Sequence, residues 1–318
     1  MMHKNFLDIV REIYKRNMMV FLITTNGYFI TQEILDELKA IGCYPKIRIS
    51  FDGIGPHDWM RGFKGAETRT LDAVRLCVEN GFSVETNTQA NRRNVHTIMP
   101  TAKLLDSIGV KSMRISRTTE VPRWVQNAPN ASLTIEEYYE KMLEFAVEYV
   151  QSGISARLYV WQYLRLLPDT RSFYMNAVKS PEGMFYEDKS NYMTAVTSSG
   201  EVMQCNQMSG FLAKKGISLG NVHKTPLSEI LSSGSCVNIA KMTVGQVLRN
   251  SNNKYSKCSY FKYCGGGCRA LGLLFSDGKD FVSEDITKCC FFEDGWYQKV
   301  TRALSGLGWR NLSEIAEI

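Results

Sequence analysis

Two hydrophobic rhythms alternate through the first ~120 residues. Residues 18–25 (MMVFLITT) form a nearly continuous apolar run, which predicts a strand covered on both faces. Ile34, Leu35, Leu38 and Ile41 then recur at helical spacing, with Thr31 placed to cap that helix and Gly42 to close it. Residues 46–51 read as the next strand. A helix through Leu71, Val74 and Val78 stops at Gly81, and residues 82–88 make a third strand. Another helix ends at Gly109, and residues 110–116 make the fourth strand. Successive strand–helix units predict a parallel α/β sheet or barrel.

Ahead of this pattern, Phe6, Ile9, Val10 and Ile13 give residues 3–16 one apolar helical face. Such a helix reads as the crossover of a unit whose strand would precede it. The strand at 18–25 would then stand at an open edge with no charge to protect it, an arrangement native sheets avoid, so the expectation is an incomplete sheet. Beyond the sheet, Thr134 and Glu137 fit a capping box opening a helix through Leu143, Val147 and Val150. The stretch 154–190 reads as irregular, and 192–204 as a hairpin turning at Ser198-Ser199-Gly200. A last helix is expected from about Cys290.

The chain has 318 residues, enough for one large domain and a smaller one. A net charge of +6 permits an acidic or peptide partner, but no basic stripe of the nucleic-acid-binding kind is visible. No apolar run approaches a membrane span and the start lacks a signal-peptide pattern, so no membrane association and a cytoplasmic setting are expected.

Nine cysteines change the picture. Cys43, Cys77 and Cys236 each sit alone and read as small buried hydrophobes. Cys258, Cys264 and Cys268 form C-x5-C-x3-C, with Gly265-Gly266-Gly267 between the last two; Cys205 comes earlier and Cys289-Cys290 later. Clustered cysteines without a secretion signal point to metal or redox chemistry rather than disulfides. Thiolates are the soft ligands of iron–sulfur clusters and zinc, and the glycines let the chain fold tightly between them. Zinc remains the competitor, although its four-thiolate sites pair ligands at shorter spacing. Adjacent residues rarely face one metal, so one of Cys289 and Cys290 is expected to be a ligand.

Gly200-x4-Cys205, followed by C-x5-C-x3-C and a late cysteine after Glu284-Asp285, resembles the SPASM domain of radical S-adenosylmethionine (AdoMet) enzymes. Gly220-Asn221-Val222 before Ser228-Glu229-Ile230 is similar too. The resemblance implies one or two auxiliary [4Fe–4S] clusters. Carried over by position, Cys205 and Cys268 would serve the first, and Cys258, Cys264 and Cys289 or Cys290 the second. Tyr255 stands where the family has a further cysteine, and no cysteine occurs between Cys77 and Cys205, so both sites are short of thiolates; Asp188 is a weak substitute.

The first half resembles the later part of the radical AdoMet barrel. Thr25-Asn26-Gly27 follows one strand and Ser50-Phe51-Asp52-Gly53 the next, at the strand ends where α/β sites assemble. The resemblance implies that Asn26, Ser50, Asp52 and Arg61 form part of the AdoMet site, with the Arg61 guanidinium suited to a carboxylate. Gln89, Asn91 and Arg117 also fall near strand ends. The family's C-x3-C-x2-C, which holds the AdoMet-cleaving cluster, and its G-G-E-P motif do not occur. The expected fold is therefore an incomplete (β/α)6 partial TIM-type barrel over 1–120, a helical linker over 121–184 and a small cysteine-rich SPASM domain over 185–318. No catalytic residue is assigned. The expected parent function is a radical AdoMet peptide or protein maturase acting on a ribosomal peptide or protein. This chain would be a truncated, split or mis-started form, inactive alone and completed by an N-terminal partner chain; the alternative is a non-catalytic iron–sulfur scaffold. Sulfatase maturases tend to carry an Asp where Asn206 stands, so the resemblance favours peptide modification over sulfatase maturation.

Overall fold

The computed structural model describes residues 3–160, 163–175, 194–203, 205, 218–233, 242–249, 254–275 and 282–313. Residues 1–174 with 300–312 form one compact unit, and 175–299 with 313–318 another.

In the first unit, helix α1 (Phe6–Lys15) precedes β1 (Leu22–Thr25), α2 (Gln32–Ile41), β2 (Lys46–Ser50), α3 (His57–Arg61) and α4 (Ala66–Glu79). Then come β3 (Val84–Ala90), α5 (Ile98–Ile108), β4 (Ser112–Arg117), α6 (Pro122–Asn127), α7 (Ile135–Gln151), β5 (Arg157–Val160), β6 (Leu164–Leu167) and β7 (Ser172–Tyr174). Strand β11 (Arg310–Asn311) pairs with β7, giving the order β1-β2-β3-β4-β5-β6-β7-β11. Strands β1 to β5 are parallel; β6 then turns the sheet antiparallel. This is an α/β sheet of partial-barrel type.

Local chemistry sets the element ends as expected. Thr31 Oγ1 accepts the Ile34 N–H, and Gly42 closes α2 in the left-handed region at φ 79°. At α7 both arms of the Thr134–Glu137 capping box form. The stripe that α7 buries is Tyr138, Tyr139, Met142, Phe145, Ala146 and Tyr149, whereas Leu143, Val147 and Val150 are half-buried, one position round the helix.

Several expectations need correction. The run at 18–25 is not covered on both faces: only Leu22–Thr25 pairs, and Met19 and Phe21 are 75% and 72% exposed. As expected, β1 stands at an edge, with β2 on one side and, among the described residues, no neighbour on the other. The stretch expected to be irregular from 154 carries β5, β6 and β7, and the region set aside as a helical linker from 121 adds strands to the same sheet instead. An alternation of large polar and apolar residues (RLYV, LRLL) is the strand signal there.

In the second unit, β8 (Ala195–Val196) and β9 (Glu201–Met203) form the expected hairpin around Gly200, and β10 (Gly220–Asn221) adds to it. Met203, Val244, Val247, Tyr255, Phe261, Ala270 and Leu273 make a small core, against which Cys205, Cys258 and Cys268 pack. The last helical stretch is two helices, Ile286–Glu293 and Trp296–Gly306, beginning at the Asp285 cap rather than at Cys290.

Candidate functional site

Alternation places opposite chemistries on the two faces of the sheet. Ile47, Ile49, Val84, Thr86, Thr88, Met113, Ile115, Leu158 and Val160 are buried. The intervening residues form polar rows across the strands. One row runs Arg48, Glu85, Ser112 and Arg157; the next runs Ser50, Asn87, Arg114, Tyr159, Arg165 and Tyr174. Ser50 therefore shares a level with Arg114. Glu85, almost fully buried, pairs with Arg48, accepts from Ser112 Oγ at 3.0 Å and lies 3.9 Å from Lys46. The Arg114 pKa is lowered to about 10, chiefly by burial, then by the Arg48 charge, with Glu85 opposing and Arg165 adding to the fall.

Above Ser50, the loop to α3 is held by a buried relay. Asp52 Oδ1 accepts the Gln89 N–H at 3.0 Å, and Oδ2 lies 2.6 Å from Arg61 Nη2. His57, fully buried, accepts the Asp52 N–H at Nδ1 (3.0 Å), so its proton sits on Nε2, facing Thr70 Oγ1 at 3.1 Å. The Thr70 hydroxyl donates to the Asn26 carbonyl at 3.3 Å. Thus Asn26, Asp52 and Arg61 belong to one hydrogen-bonded rim. Asn26 is itself exposed, its Oδ1 accepting the Tyr28 N–H. Arg61 is committed in part to Asp52 rather than wholly available to a ligand. Of the other strand-end residues, Gln89 joins the rim, Asn91 is buried in its own turn and Arg117 donates to the Leu133 carbonyl. Sequence reasoning missed His57, Arg48, Glu85, Arg114 and Arg165; charged residues at alternate strand positions were the available signal.

Among the cysteines, Cys43 and Cys77 are fully buried, and burial alone pushes the Cys77 thiol up to about 12. Cys77 behaves as apolar packing, whereas Cys43 bonds to Tyr14 and raises its hydroxyl; Cys236, like Asn206 and Asp188, lies outside the described residues. In the second unit, Gly265, Gly266 and Gly267 all have positive φ, wrapping the chain between Cys264 and Cys268. A Cβ on Gly267 would lie 2.7 Å from Asp285 Oδ2. That carboxylate needs the space: it accepts the Cys268 N–H at 2.9 Å while Oδ1 accepts the Thr287 N–H at 3.1 Å. Arg269, buried behind the loop, donates to the carbonyls of Gly266 and Gly267, to Ser283 O and to Tyr255 Oη. Tyr255 thus fills the core and anchors Arg269.

Cys258 lies near enough to act on Cys264, and Cys205 on Cys268. Burial raises the Cys264 thiol, with Cys258 pushing the same way and the Gly266 N–H, Lys288 and Arg269 opposing. Burial likewise lifts Cys268 to about 11, helped by the Asp285 charge and by Cys205. Cys289 lies close enough to raise Tyr255 slightly. Adjacent positions on a helix diverge by about 100°, so Cys289 and Cys290 point apart. Among the described residues no group of three or more His, Cys, Asp or Glu converges as one metal ion would require. A cluster spreads its thiolates wider than a single ion does, and paired thiols on a glycine-wrapped loop with an N–H aimed at sulfur (Gly266 N to Cys264 Sγ, 3.3 Å) fit that demand.

Comparison with known proteins bears on this half directly. Residues 189–268 match the SPASM family, an iron–sulfur cluster-binding domain. That stretch of the chain is similar to a SPASM domain. Cys205, Cys258, Cys264 and Cys268 fall within the matched residues; Cys289 and Cys290 lie beyond them. Over 293 residues the chain is 24% identical to an AdoMet-dependent heme synthase of Methanosarcina barkeri, covering 86% of this chain and 75% of the relative. It is 25% identical over 282 residues to the heme synthase of Nitratidesulfovibrio vulgaris, 83% and 70% covered. The structure of anSMEcpe with bound AdoMet and the Cp18Cys peptide shares the fold, with a TM-score of 0.61 at 16% identity, over 96% of this chain and 82% of that one. Streptococcus suis SuiB bound to its precursor peptide SuiA gives 0.61 at 13% identity, over 89% and 62%. The sheet ahead of the SPASM domain therefore has the fold of proteins solved with AdoMet bound. No helix among the described residues is long and apolar enough to cross a membrane.

Proposed function

We propose that this chain is a radical AdoMet protein whose SPASM half holds one or two auxiliary [4Fe–4S] clusters and whose sheet half carries part of an AdoMet site. Cys205 with Cys268 would serve one cluster, and Cys258, Cys264 and one of Cys289 and Cys290 the other. The observation that carries this reading is the SPASM match over 189–268, within which Cys205, Cys258, Cys264 and Cys268 all fall. Bound clusters supply single-electron transfer there, tuned by burial and by N–H donors to sulfur. The chain's own part is to present thiolates, give up their protons on loading and hold the loop through Asp285 and Arg269. At the sheet, Asn26, Ser50, Asp52 and Arg61 form the cofactor rim, with His57 fixing its loop.

The substrate expected from the sequence is a peptide or protein, and structural neighbours solved with peptides support it. The second reading is chemistry on a haem-type molecule: both curated relatives are named AdoMet-dependent heme synthase, and the sheet's polar face carries Lys46, Arg48, Arg114 and Arg165. C-x3-C-x2-C occurs nowhere in the 318 residues, so we expect no AdoMet cleavage by these residues alone. The experiment is reductive cleavage by the anaerobically reconstituted chain with dithionite. No 5′-deoxyadenosine should form, while AdoMet binds measurably and Ser50→Ala weakens it by about 0.5–1.5 kcal/mol. Formation of 5′-deoxyadenosine by this chain alone would overturn the auxiliary assignment. Arg61→Ala is a poorer probe, because it also strands the buried Asp52.

A further inference from the structure

The buried face of the sheet holds a cavity between β3, β4 and α5. Its walls are mostly apolar, but Thr86, Thr88 and Thr101 line it, together with Gly53 of the loop above. Two of these threonines hold that loop. Thr88 Oγ1 donates to the Phe51 carbonyl at 2.7 Å, and Thr101 Oγ1 accepts the Ile54 N–H at 3.1 Å. They therefore grip the backbone on either side of Asp52-Gly53. Thr86, only 1% exposed, is different: its hydroxyl has no hydrogen-bond partner among the described residues.

A buried hydroxyl without a partner costs stability, and valine would fill the same volume without that cost. The cavity leaves about 10 Å³ for the centre of a water molecule, the room that one water needs. The hydroxyl roles also fit one. Thr88 has spent its proton on Phe51 and keeps lone pairs to accept with. Thr101 has taken an N–H and keeps its proton to donate. A water between them would donate to Thr88, accept from Thr101 and make its third bond with Thr86. Three bonds is the usual complement of an internal water. An apolar occupant would leave Thr86 unsatisfied, and the lining offers a metal ion no carboxylate, imidazole or thiolate.

We propose that an internal water bonded to Thr86, Thr88 and Thr101 is built into the floor of the loop at 51–54, and that through it Thr86 is a positioning residue for the rim at Ser50 and Asp52. The loop is pressed closely onto this floor. Gly53 has φ 119°, and a Cβ there would lie 2.5 Å from Thr97 Oγ1 at the start of α5. A change beneath it is therefore passed to the backbone that carries Asp52. The water site goes beyond the radical AdoMet reading and does not need it; the positioning role links the two.

The test is water oxygen-17 relaxation dispersion, which counts long-lived buried waters, on the full chain beside Thr86→Val and Thr86→Ser. Valine keeps the shape and strand preference of threonine, so both variants should fold. Thr86→Val should hold one long-lived water fewer than the parent, and Thr86→Ser the same number. The Ile54 amide, bonded to Thr101, should exchange its hydrogen about three- to tenfold faster in Thr86→Val. An equal water count in the parent and Thr86→Val, or an Ile54 amide that exchanges equally slowly in both, would overturn the site. AdoMet titration of the same proteins separates this from the cofactor reading. An affinity about two- to fivefold lower in Thr86→Val but not in Thr86→Ser supports the positioning role, and equal affinities overturn it. A parent that binds no AdoMet overturns the cofactor rim, while the water count still decides the site.

Discussion

Among the described residues of 1–174, the largest fully buried side chains are Leu35, Leu38, Ile47, Ile49 and Phe51, with Tyr149, Tyr163 and Phe173, and most buried polar groups are hydroxyls and amides at strand and loop positions. In 175–299 the buried polar side chains described are Arg269, Asp285 and Lys288, every one of them charged. The sheet unit stands on apolar area removed from water. In the cysteine-rich unit, apolar packing is joined by charges bonded to backbone around the cysteine loop: Arg269 to carbonyls, Asp285 to N–H groups. Such a unit holds its thiols in place while leaving much of its stabilisation to whatever the thiols bind.

The difference can be broken by substitution. In the sheet unit, Leu38→Ala removes a fully buried side chain and should cost about 2–5 kcal/mol in denaturant unfolding while leaving iron uptake unchanged. Iron lost together with stability would mean that the two units do not behave separately. In the other unit, Asp285→Ala removes the helix cap and the acceptor of the Cys268 N–H. It should cost about 2–4 kcal/mol and abolish much of the iron uptake; full iron loading of that variant would show the loop to be organised by something else.

A pH effect sharpens the comparison from the sheet side. The Cys77 thiol is neutral in the fold, held up to about 12 by burial, against the ordinary thiol value when unfolded. A raised folded pKa contributes fully below the unfolded value. Its contribution is lost as pH climbs above that value towards about 12, at roughly 1.4 kcal/mol per unit. Cys77→Ala should flatten the alkaline fall in stability; an unchanged alkaline limb would contradict the assignment. Smaller again, Thr134→Ala should remove the capping box of α7 and lower stability by about 1 kcal/mol without touching iron.

How much was legible follows the same division. The caps at Thr31 and Thr134 and the glycine stops at 42 and 109 were readable because each is decided within one helical turn. The hairpin at Gly200 was readable for the same reason. The edge position of the run at 18–25 was legible; its coverage was not, because apolar composition does not say which faces find a partner. Strands β5 to β7 were missed because their outward residues are Arg and Tyr, which look like loop until the sheet supplies a polar face. The thiols were legible from spacing. Their supports were not, since Asp285 meets Cys268 only after the chain has returned from seventeen residues on.

Iron and acid-labile sulfide in the anaerobically reconstituted chain, measured beside Cys264→Ala, Cys268→Ala and Cys43→Ala, test the central assignment most directly. The account predicts brown protein with iron and sulfide in the parent, a large loss of both in the Cys264 and Cys268 variants, and no change for Cys43→Ala. Zinc bound without iron, or iron indifferent to Cys264 and Cys268, would contradict it.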